Sequence, residues 1–317
     1  KIRVSTRVMA NENTALVTGG AGFIGSHLVD QLLDSGFRVV VVDNLSSGQL
    51  RNINSNCVFM HGDITGDSLD SVFEKEKPGL VFHLAAQSSV AISSEKPILD
   101  ASTNILGTLR VAQNCAKHGV KKLIYSSTGG AIYGEPPELP VDEATSPRPI
   151  SNYGVSKYQG EQFIELYHKL HNLNYCILRY ANVYGPRQDG NGEAGVIPIF
   201  ASLMQNGKQP TIFGTGEQKR DFVSVHDVVR ANMLAITKGG NSVYNIGSST
   251  MYSVNRIYQL IQEHLEFEQE ALSGAPRPGD VFEISLDYSK AKRELKWEPE
   301  IDFENGLQET LQYIQTH

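Results

Sequence analysis

A glycine-rich stretch near the start of the chain, residues 18–25 (T-G-G-A-G-F-I-G), constrains the fold more than any other feature. It follows the short apolar run 15–17, which predicts a buried strand, and it precedes residues 26–35, whose apolar positions recur at helical spacing. Glycines at 19, 22 and 25 therefore lie on a strand-to-helix turn. There they permit positive φ, close approach of a ligand and close packing of helix on strand. The N–H groups and the dipole of the helix start predict an anion-binding site.

The spacing G-x-x-G-x-x-G leaves a second interpretation open, namely a helix cap with packing glycines. The next segment of the chain favours the anion site. A second β-branched strand, residues 38–42, ends in Asp43, which lies 18 residues beyond Gly25. A dinucleotide-binding fold places here the carboxylate that binds the adenosine ribose hydroxyls, and this charge would repel a 2′-phosphate. The sequence therefore predicts NAD, rather than NADP, as the cofactor.

Strand and helix patterns alternate through residue 180, which predicts an α/β fold with a Rossmann-type, doubly wound parallel sheet. We assign residues 14–180 to this NAD-binding domain and expect residues 223–247 to return to it, beginning with a strand at 223–225. Residues 181–222 and 248–317 are expected to form a smaller, discontinuous α/β lobe that binds the substrate. Residues 1–13 are expected to be an N-terminal extension.

Composition excludes several classes of function. The net charge is −7 and the pI is near 5.7, so an acidic chain without a basic cluster is not expected to bind nucleic acid. No apolar run approaches the ~20 residues that span a bilayer. Cys57, Cys115 and Cys176 are isolated, which predicts small buried side chains, no disulfide, no metal site and a cytoplasmic protein. His83 lies inside an apolar strand and is expected to be a hydrogen-bonded core histidine.

Tyr153 and Lys157 lie four residues apart on a predicted helix, 153–171, and so share a face. A free tyrosine titrates near pH 10, but a nearby ammonium and a bound oxidised nicotinamide favour the phenolate and are expected to lower that pKa. Thr128 follows an apolar strand, where its hydroxyl is placed to bond both the phenol and a substrate hydroxyl. An ordinary exposed helix face is the alternative interpretation. Together with the upstream glycine turn, the pattern favours a catalytic site.

These motifs resemble those of the extended short-chain dehydrogenases/reductases, in the NAD-dependent epimerase/dehydratase family, and most of all the UDP-glucose 4-epimerase group. The resemblance runs from Leu16 to about Leu307. It is carried by residues 18–25, 43–45, 63–64, 84–86, Asn104, 126–128, Tyr153 with Lys157, 179–186, 220–223 and 277–280. It implies a UDP-sugar substrate, NAD as cofactor, and reversible inversion of a UDP-hexose at C4 through a 4-keto sugar.

The resemblance also implies a role for individual residues. Tyr153 is the base, Thr128 its hydroxyl partner, and Lys157 binds the nicotinamide ribose. The cofactor-binding set is Gly19, Gly22, Phe23, Ile24, Asp43, Asn44, Asp63, Ile64, Leu84, Ala85, Ala86, Asn104, Tyr153, Lys157 and Tyr180. The substrate-binding set is Thr128, Asn182, Arg187, Val196, Arg220, Arg277 and Asp280. Guanidinium groups suit a diphosphate because they bind it bidentately. Arg187 is equally well interpreted as a solvated loop charge.

Two departures from the family pattern bear on the reaction. Gly129 and Gly130 follow Thr128, whereas related dehydratases carry an acidic pair there and decarboxylases a glutamate, so the chain lacks an acid for elimination. Ile284 stands seven residues beyond Arg277, about where a bulky tyrosine restricts some members to non-acetylated hexoses. The smaller isoleucine predicts that N-acetylhexosamines are accepted.

Two further interpretations remain open. One is a different NAD-dependent nucleotide-sugar enzyme: a UDP-glucuronate 4-epimerase or decarboxylase, or a dehydratase. The other is a non-enzymatic NAD-sensing relative, although such relatives commonly lack the tyrosine–lysine pair that is present here. The predicted helices 98–118 and 153–171 resemble those of the family's four-helix dimer interface, which implies a homodimer.

Overall fold

A seven-stranded parallel sheet is the centre of the computed structural model, which describes residues 11–189, 195–276 and 281–316. In chain order the strands are β1 Asn11–Thr18, β2 Arg38–Asp43, β3 Val58–His61, β4 Pro78–His83, β5 Lys122–Thr128, β6 Tyr175–Tyr180, β7 Asn182–Tyr184, β8 Thr211–Phe213, β9 Lys219–Ser224, β10 Ser242–Ile246, β11 Met251–Ser253, β12 Leu272–Gly274 and β13 Glu283–Ile284. The large sheet has the order β10-β6-β5-β4-β1-β2-β3. This arrangement confirms the predicted α/β Rossmann-type fold.

Eleven α-helices lie within the described residues. They are α1 Phe23–Asp34, α2 Ser68–Glu76, α3 Val90–Glu95, α4 Pro97–Ala101, α5 Thr108–His118, α6 Gly129–Ile132, α7 Asn152–His171, α8 Val196–Gln205, α9 Val225–Thr237, α10 Val254–Leu265 and α11 Phe303–Thr316. None of the helices in this part of the chain is both long and apolar enough to cross a membrane.

Both faces of the large sheet are buried, and β2 shows why. Val39 and Val41 belong to one apolar cluster, with α1, while Val40 and Val42 belong to the other, with α5. Successive side chains of a strand point to opposite faces, so an uninterrupted valine run is what a sheet covered on both sides requires. The helices therefore form two layers around the sheet.

The order of the strands places a crevice beside the glycine turn. β1 pairs with β2 on one side and with β4 on the other, so the winding of the chain reverses between β1 and β4. Parallel sheets bind ligands at such a switch point, outside the carboxyl ends of the strands. The turn after β1 and the segment after β4 both open there.

A second sheet carries the smaller lobe. β9 is its central strand and pairs with β7, β11 and β13. Aromatic packing around Phe303 joins this sheet to α11, since its ring lies 4.1 Å from that of Tyr252 and 5.1 Å from that of Tyr184. The lobe thus has an apolar core of its own.

Three local expectations need correction. The predicted strand at 223–225 does not return to the large sheet, because residues 223–224 end β9 of the second sheet, and only α9 and β10 return. β1 begins at Asn11, inside the predicted N-terminal extension. The helix predicted over 98–118 is divided, because a π-helical turn, Ser102–Gly107, separates α4 from α5.

The predicted core histidine is confirmed. The side chain of His83 is fully buried, with Nδ1 2.7 Å from Thr18 Oγ1 and Nε2 3.0 Å from Thr108 Oγ1. Cys115 and Cys176 are buried free thiols, as expected, whereas Cys57 is half-buried.

Candidate active site

The glycine turn brings the ends of β1 and β4 into backbone contact. Gly19 has a φ of +74°, and a Cβ at this position would lie 2.7 Å from the Ala85 nitrogen. A Cβ on Gly25 would lie 2.9 Å from Gly20 Cα and closer still to the Gly19 oxygen. Only glycine therefore permits the helix to begin this close to the strand.

The first turn of α1 presents its backbone donors to the crevice. Gly22 is the N-cap residue and makes no side-chain capping bond. The N–H groups of Phe23 and Ile24 have no partner within the helix, because an α-helix leaves its first donors unpaired. A cradle without side chains and with free donors fits the diphosphate of a dinucleotide.

The adenosine-side residues are held by short bonds. Asp43 Oδ2 accepts the Ala21 N–H at 3.0 Å, so the carboxylate lies against the glycine turn. Asn44 Nδ2 donates to Asp63 Oδ2 at 2.8 Å. Burial raises the pKa of Asp63, but hydrogen bonds from Thr65 and Asn44 outweigh it, and the net shift is downward. Both carboxylates are thereby oriented at the edge of the crevice.

Other predicted cofactor residues line the ends of the central strands. Leu84, Ala85 and Ala86 follow β4, and Ala85 N donates to Thr18 Oγ1 at 3.3 Å. Ile64 is buried. Tyr180, at the end of β6, directs its hydroxyl inward to the Ser126 hydroxyl.

The π-helical turn Ser102–Gly107 carries Asn104 to the base of the site. Asn104 Nδ2 donates to Asp100 Oδ1 at 3.0 Å and to Ser156 Oγ at 3.0 Å, and Oδ1 accepts the Gln87 N–H. Because Ser156 lies beside Lys157 on α7, this amide links the π-turn to the predicted catalytic helix. π-turns occur often at functional sites.

Thr128 and Tyr153 meet at the carboxyl edge of the sheet. Thr128 is the last residue of β5, and its hydroxyl lies close enough to the phenol of Tyr153 to lower the pKa of that phenol. The tyrosine ring keeps some exposure, but its phenolic end is enclosed, and this burial raises the pKa of Tyr153 to about 12 although Thr128 lowers it. Desolvation of the phenolate outweighs the effect of Thr128 and opposes the lowering that positive charges near the phenol are expected to give.

Lys157 is 3% exposed and lies one turn beyond Tyr153. Its Nζ stands 4.3 Å from the centroid of the Tyr125 ring, a cation–π distance. Burial lowers the pKa of Lys157 to about 7, while the carboxylates of Glu161 and Asp100 oppose the shift. The two carboxylates therefore favour the charged form of Lys157, but the effect of burial is larger.

Because of that lowered pKa, stability should depend on pH. Between about pH 7 and 10.5 the unfolded chain binds a proton at Lys157 that the folded chain has released, so the free energy of unfolding rises with pH over this window. The matched variant Lys157→Met should lack the rise. Urea denaturation of both proteins from pH 6 to 10 measures the free energy of unfolding. If the difference between the two proteins in this free energy stayed constant with pH, the prediction would be wrong.

Glycines open the substrate side of the site. A Cβ on Gly130 would lie 3.3 Å from Asn182 Oδ1 and 3.9 Å from Thr128 Oγ1, so these two predicted substrate residues face the same space. A Cβ on Gly129 would overlap the side chain of Leu286, 2.7 Å from Cδ2.

The remaining substrate candidates lie on or near the second lobe. Val196 is the first residue of α8, and Arg220 lies in β9, where its Nη1 donates to the Phe282 oxygen at 3.1 Å. Arg277 and Asp280 lie outside the described residues.

Arg187 lies apart from Thr128 and Tyr153. Its Nη2 is 2.8 Å from Asp30 Oδ2 on α1. It also lines a surface cavity with His27, His226 and Glu309. This placement favours the second interpretation of Arg187, a loop charge that does not contact the substrate.

One buried cluster was missed from the sequence. Glu161 Oε1 accepts the Ser127 hydroxyl at 2.5 Å and Arg179 Nε at 2.9 Å, and its Oε2 accepts Arg179 Nη2 at 2.6 Å. A signal was available, because Glu161 is four residues beyond Lys157 and must lie on the same helix face. Polar residues at three successive positions four apart, Tyr153, Lys157 and Glu161, indicate a functional helix face rather than a packing surface.

Fold and site together define a class: dinucleotide-dependent enzymes that oxidise a hydroxyl group at the carboxyl end of a parallel sheet. The cradle at Gly19 and Gly22 and the carboxylate of Asp43 fit NAD. A sequence model of the NAD-dependent epimerase/dehydratase family matches residues 15–247, and the chain belongs to this family.

Individual relatives are similar over nearly the whole chain. The UDP-glucose 4-epimerase of Mycolicibacterium smegmatis is 39% identical over 305 residues, covering 94% of this chain and 97% of that protein. The crystal structure of UDP-glucose 4-epimerase from Thermotoga maritima with UDP-glucose has a TM-score of 0.94 and 50% identity, covering 96% of this chain and 99% of that one. The UDP-glucose 4-epimerase of Thermus thermophilus, in complex with NAD, has a TM-score of 0.91 and 38% identity, covering 95% of this chain and 98% of that one.

Proposed function

We propose that this chain is an NAD-dependent UDP-hexose 4-epimerase that interconverts UDP-glucose and UDP-galactose through a 4-keto sugar. The observation that carries the proposal is the grouping of Thr128 and Tyr153 at the carboxyl edge of the sheet, with Lys157 one helical turn away, at the edge of the crevice that holds the glycine turn. Relatives that are similar over nearly the full chain support the same reaction. When bound, NAD supplies the reversible acceptance of hydride from C4.

The residues of the chain handle the proton. Tyr153 accepts it from the 4-hydroxyl group, while Thr128 donates to the phenolic oxygen or bonds the sugar hydroxyl and so keeps the two oxygens in line. The ammonium of Lys157 favours the phenolate that forms. Tyr153 then returns the proton to the oxygen at C4, and it can do so whichever face of the sugar has taken back the hydride. No net oxidation results, because the same site performs both directions.

Substrate binding follows from the second lobe. We assign a sugar hydroxyl to Thr128, and the UDP portion to Asn182, Val196, Arg220, Arg277 and Asp280. Two arginines suit a diphosphate because each guanidinium can bind two oxygens.

Elimination and decarboxylation are less well supported. Each would need an acid or a cationic group beside C4 to C6 of the sugar, and Gly129 and Gly130 leave that edge without a side chain. The retained tyrosine–lysine pair also argues against a role in NAD sensing alone.

The test is a panel of UDP-sugars incubated with the purified protein without added NAD, with products resolved by NMR. We expect UDP-glucose and UDP-galactose to reach the same equilibrium mixture from either side. UDP-glucuronate serves as the control for the alternative epimerase. A product that has lost water or carbon dioxide would overturn the proposal in favour of a dehydratase or decarboxylase.

Acceptance of N-acetylhexosamines is a further part of the proposal. Ile284 is buried in the apolar cluster that also contains Leu286, the residue beside Gly129. The isoleucine side chain has no hydroxyl group and is smaller than that of a tyrosine, so we expect it to leave more room for the N-acetyl group. In the same panel, UDP-N-acetylglucosamine should be converted, and turnover of UDP-glucose alone would contradict this part.

We also propose a cytoplasmic homodimer. Large apolar side chains are exposed along two neighbouring segments, residues 97–118 and α7, which pack against one another. They are Ile98, Leu99, Leu106, Val155, Leu166 and Leu170. An apolar surface of this kind marks a protein–protein interface, and a second copy of the chain would bury it in a four-helix arrangement.

Replacing Leu106, which is 55% exposed, with glutamate should therefore dissociate the dimer, because an interface would have to bury an unpaired charge. Leu272, which is 49% exposed on the second lobe, gives the matched control Leu272→Glu. Light scattering after gel filtration measures the mass. A mass equally altered in both variants, or in neither, would contradict the assignment of this surface.

A further inference from the structure

Glu161 is a buried charge that the reaction described above does not use. It is 1% exposed and lies on α7, one turn beyond Lys157 and two turns beyond Tyr153. Its two oxygens bind Arg179 in a bidentate pair, and Oε1 also accepts the Ser127 hydroxyl. Burying a carboxylate is costly unless its partners are well placed, so the position calls for an explanation.

Both partners of Glu161 lie on strands at the edge of the site that carries Thr128. Ser127 immediately precedes Thr128 on β5, and it is the direct ladder partner of Arg179 on β6. Arg179 is fixed in turn, since its Nη1 donates to the Tyr133 hydroxyl at 2.8 Å. The carboxylate therefore ties the end of β5 to the helix that carries the base, with no flexible segment between them.

The same carboxylate is one of the charges that surround Lys157. From α7 the lysine faces Glu161, and Tyr153 lies one turn before it on the same helix. From α4 it faces Asp100, and from the sheet it faces His83 and Tyr125. Only Glu161 and Asp100 among these groups carry a carboxyl group. Arg179 offsets part of the negative charge, yet the carboxylate still raises the pKa of Lys157.

We propose that Glu161 is a positioning residue for the epimerase site: through Ser127 it sets the place of Thr128 relative to Tyr153, and its carboxylate, one turn away on the same face of α7, stabilises the ammonium form of Lys157. The inference rests on the proposed function. A purely structural ion pair would hold α7 against β6 and leave the titration of Lys157 unchanged, so the two possibilities differ in a measurable property.

Glu161→Gln keeps the shape of the side chain and removes its charge. In the holoenzyme, we expect kcat at pH 8 to fall about tenfold, with KM within about twofold. The loss should grow from pH 6 to pH 9, because Lys157 loses its proton about one pH unit earlier. Glu161→Asp should restore the pH profile in part. Asp227→Asn is the matched control, since Asp227 is also a buried carboxylate paired with an arginine, Arg230 on α9.

Two measurements keep the test independent of folding and of the assay. Ser127→Ala removes the link to β5 and leaves the charge, so kcat should fall without a change in the pH profile; unchanged kcat would overturn the positioning through Ser127. The Lys157 titration is followed directly by NMR of protein labelled at lysine Cε, with Lys157→Met identifying the resonance. An unchanged midpoint in Glu161→Gln would overturn the electrostatic part. If the wild type converts no UDP-hexose, the proposed function fails, and this midpoint still decides the role of Glu161.

Discussion

Replacing Tyr153 with phenylalanine is expected to lower kcat by about 10³-fold, the scale of general acid–base catalysis. The phenylalanine ring preserves the packing of α7 and removes only the hydroxyl beside Thr128. KM for the UDP-sugar and the content of bound NAD should change little, because the proposed diphosphate contacts lie on other elements. Steady-state kinetics, with NAD released by denaturation and quantified, measure all three quantities.

Tyr167→Phe is the matched control for this variant. Tyr167 also lies on α7, where it packs against the core at a distance from Thr128. Its replacement should leave kcat within about twofold of the wild type. Full activity of Tyr153→Phe would show that another group accepts the proton, and the assignment of the base would then be wrong.

The second large effect concerns the glycine turn. Gly25→Ala should lower the free energy of unfolding by about 3 kcal/mol or more and abolish NAD binding. The added Cβ would meet backbone atoms of Gly19 and Gly20, which cannot rotate away as the end of a side chain can. To relieve the overlap, α1 must move from β1, and the donors at the helix start then leave the diphosphate position.

Gly240→Ala controls for the general effect of a glycine replacement. A Cβ on Gly240 would have no neighbour within 4 Å, and its backbone does not need positive φ. Its stability should stay within about 1 kcal/mol of the wild type. For both variants, chemical denaturation measures the free energy of unfolding, and the absorbance of bound nucleotide measures the NAD content. Retention of NAD by Gly25→Ala would contradict the close packing of helix on strand.

The parts of the fold that were predictable from sequence depend on local patterns. An unbroken valine run predicted β2 as a strand of the parallel sheet, and glycine spacing predicted the turn before α1. Tyr153 and Lys157 could be placed on one face because a helix fixes the relation of residues four apart. Each of these inferences needs no knowledge of distant contacts.

The remaining features depend on pairings between distant parts of the chain. Ser127 meets Arg179 only through the register of β5 and β6. Arg187 meets Asp30 only when the loop after β7 folds back on α1. Sequence also does not reveal how far the phenol of Tyr153 is withdrawn from water, and this burial opposes the lowering of its pKa that nearby positive charges are expected to give.

The two-lobe arrangement also has a consequence for synthesis of the chain. β10 is the outer neighbour of β6, and it begins 62 residues after Tyr180. Until Ser242–Ile246 has left the ribosome, β6 is an open edge of buried, largely apolar residues. Such an edge can pair with other chains. The interval between β6 and β10 is therefore the stage of biogenesis at which this protein is most exposed to misassociation.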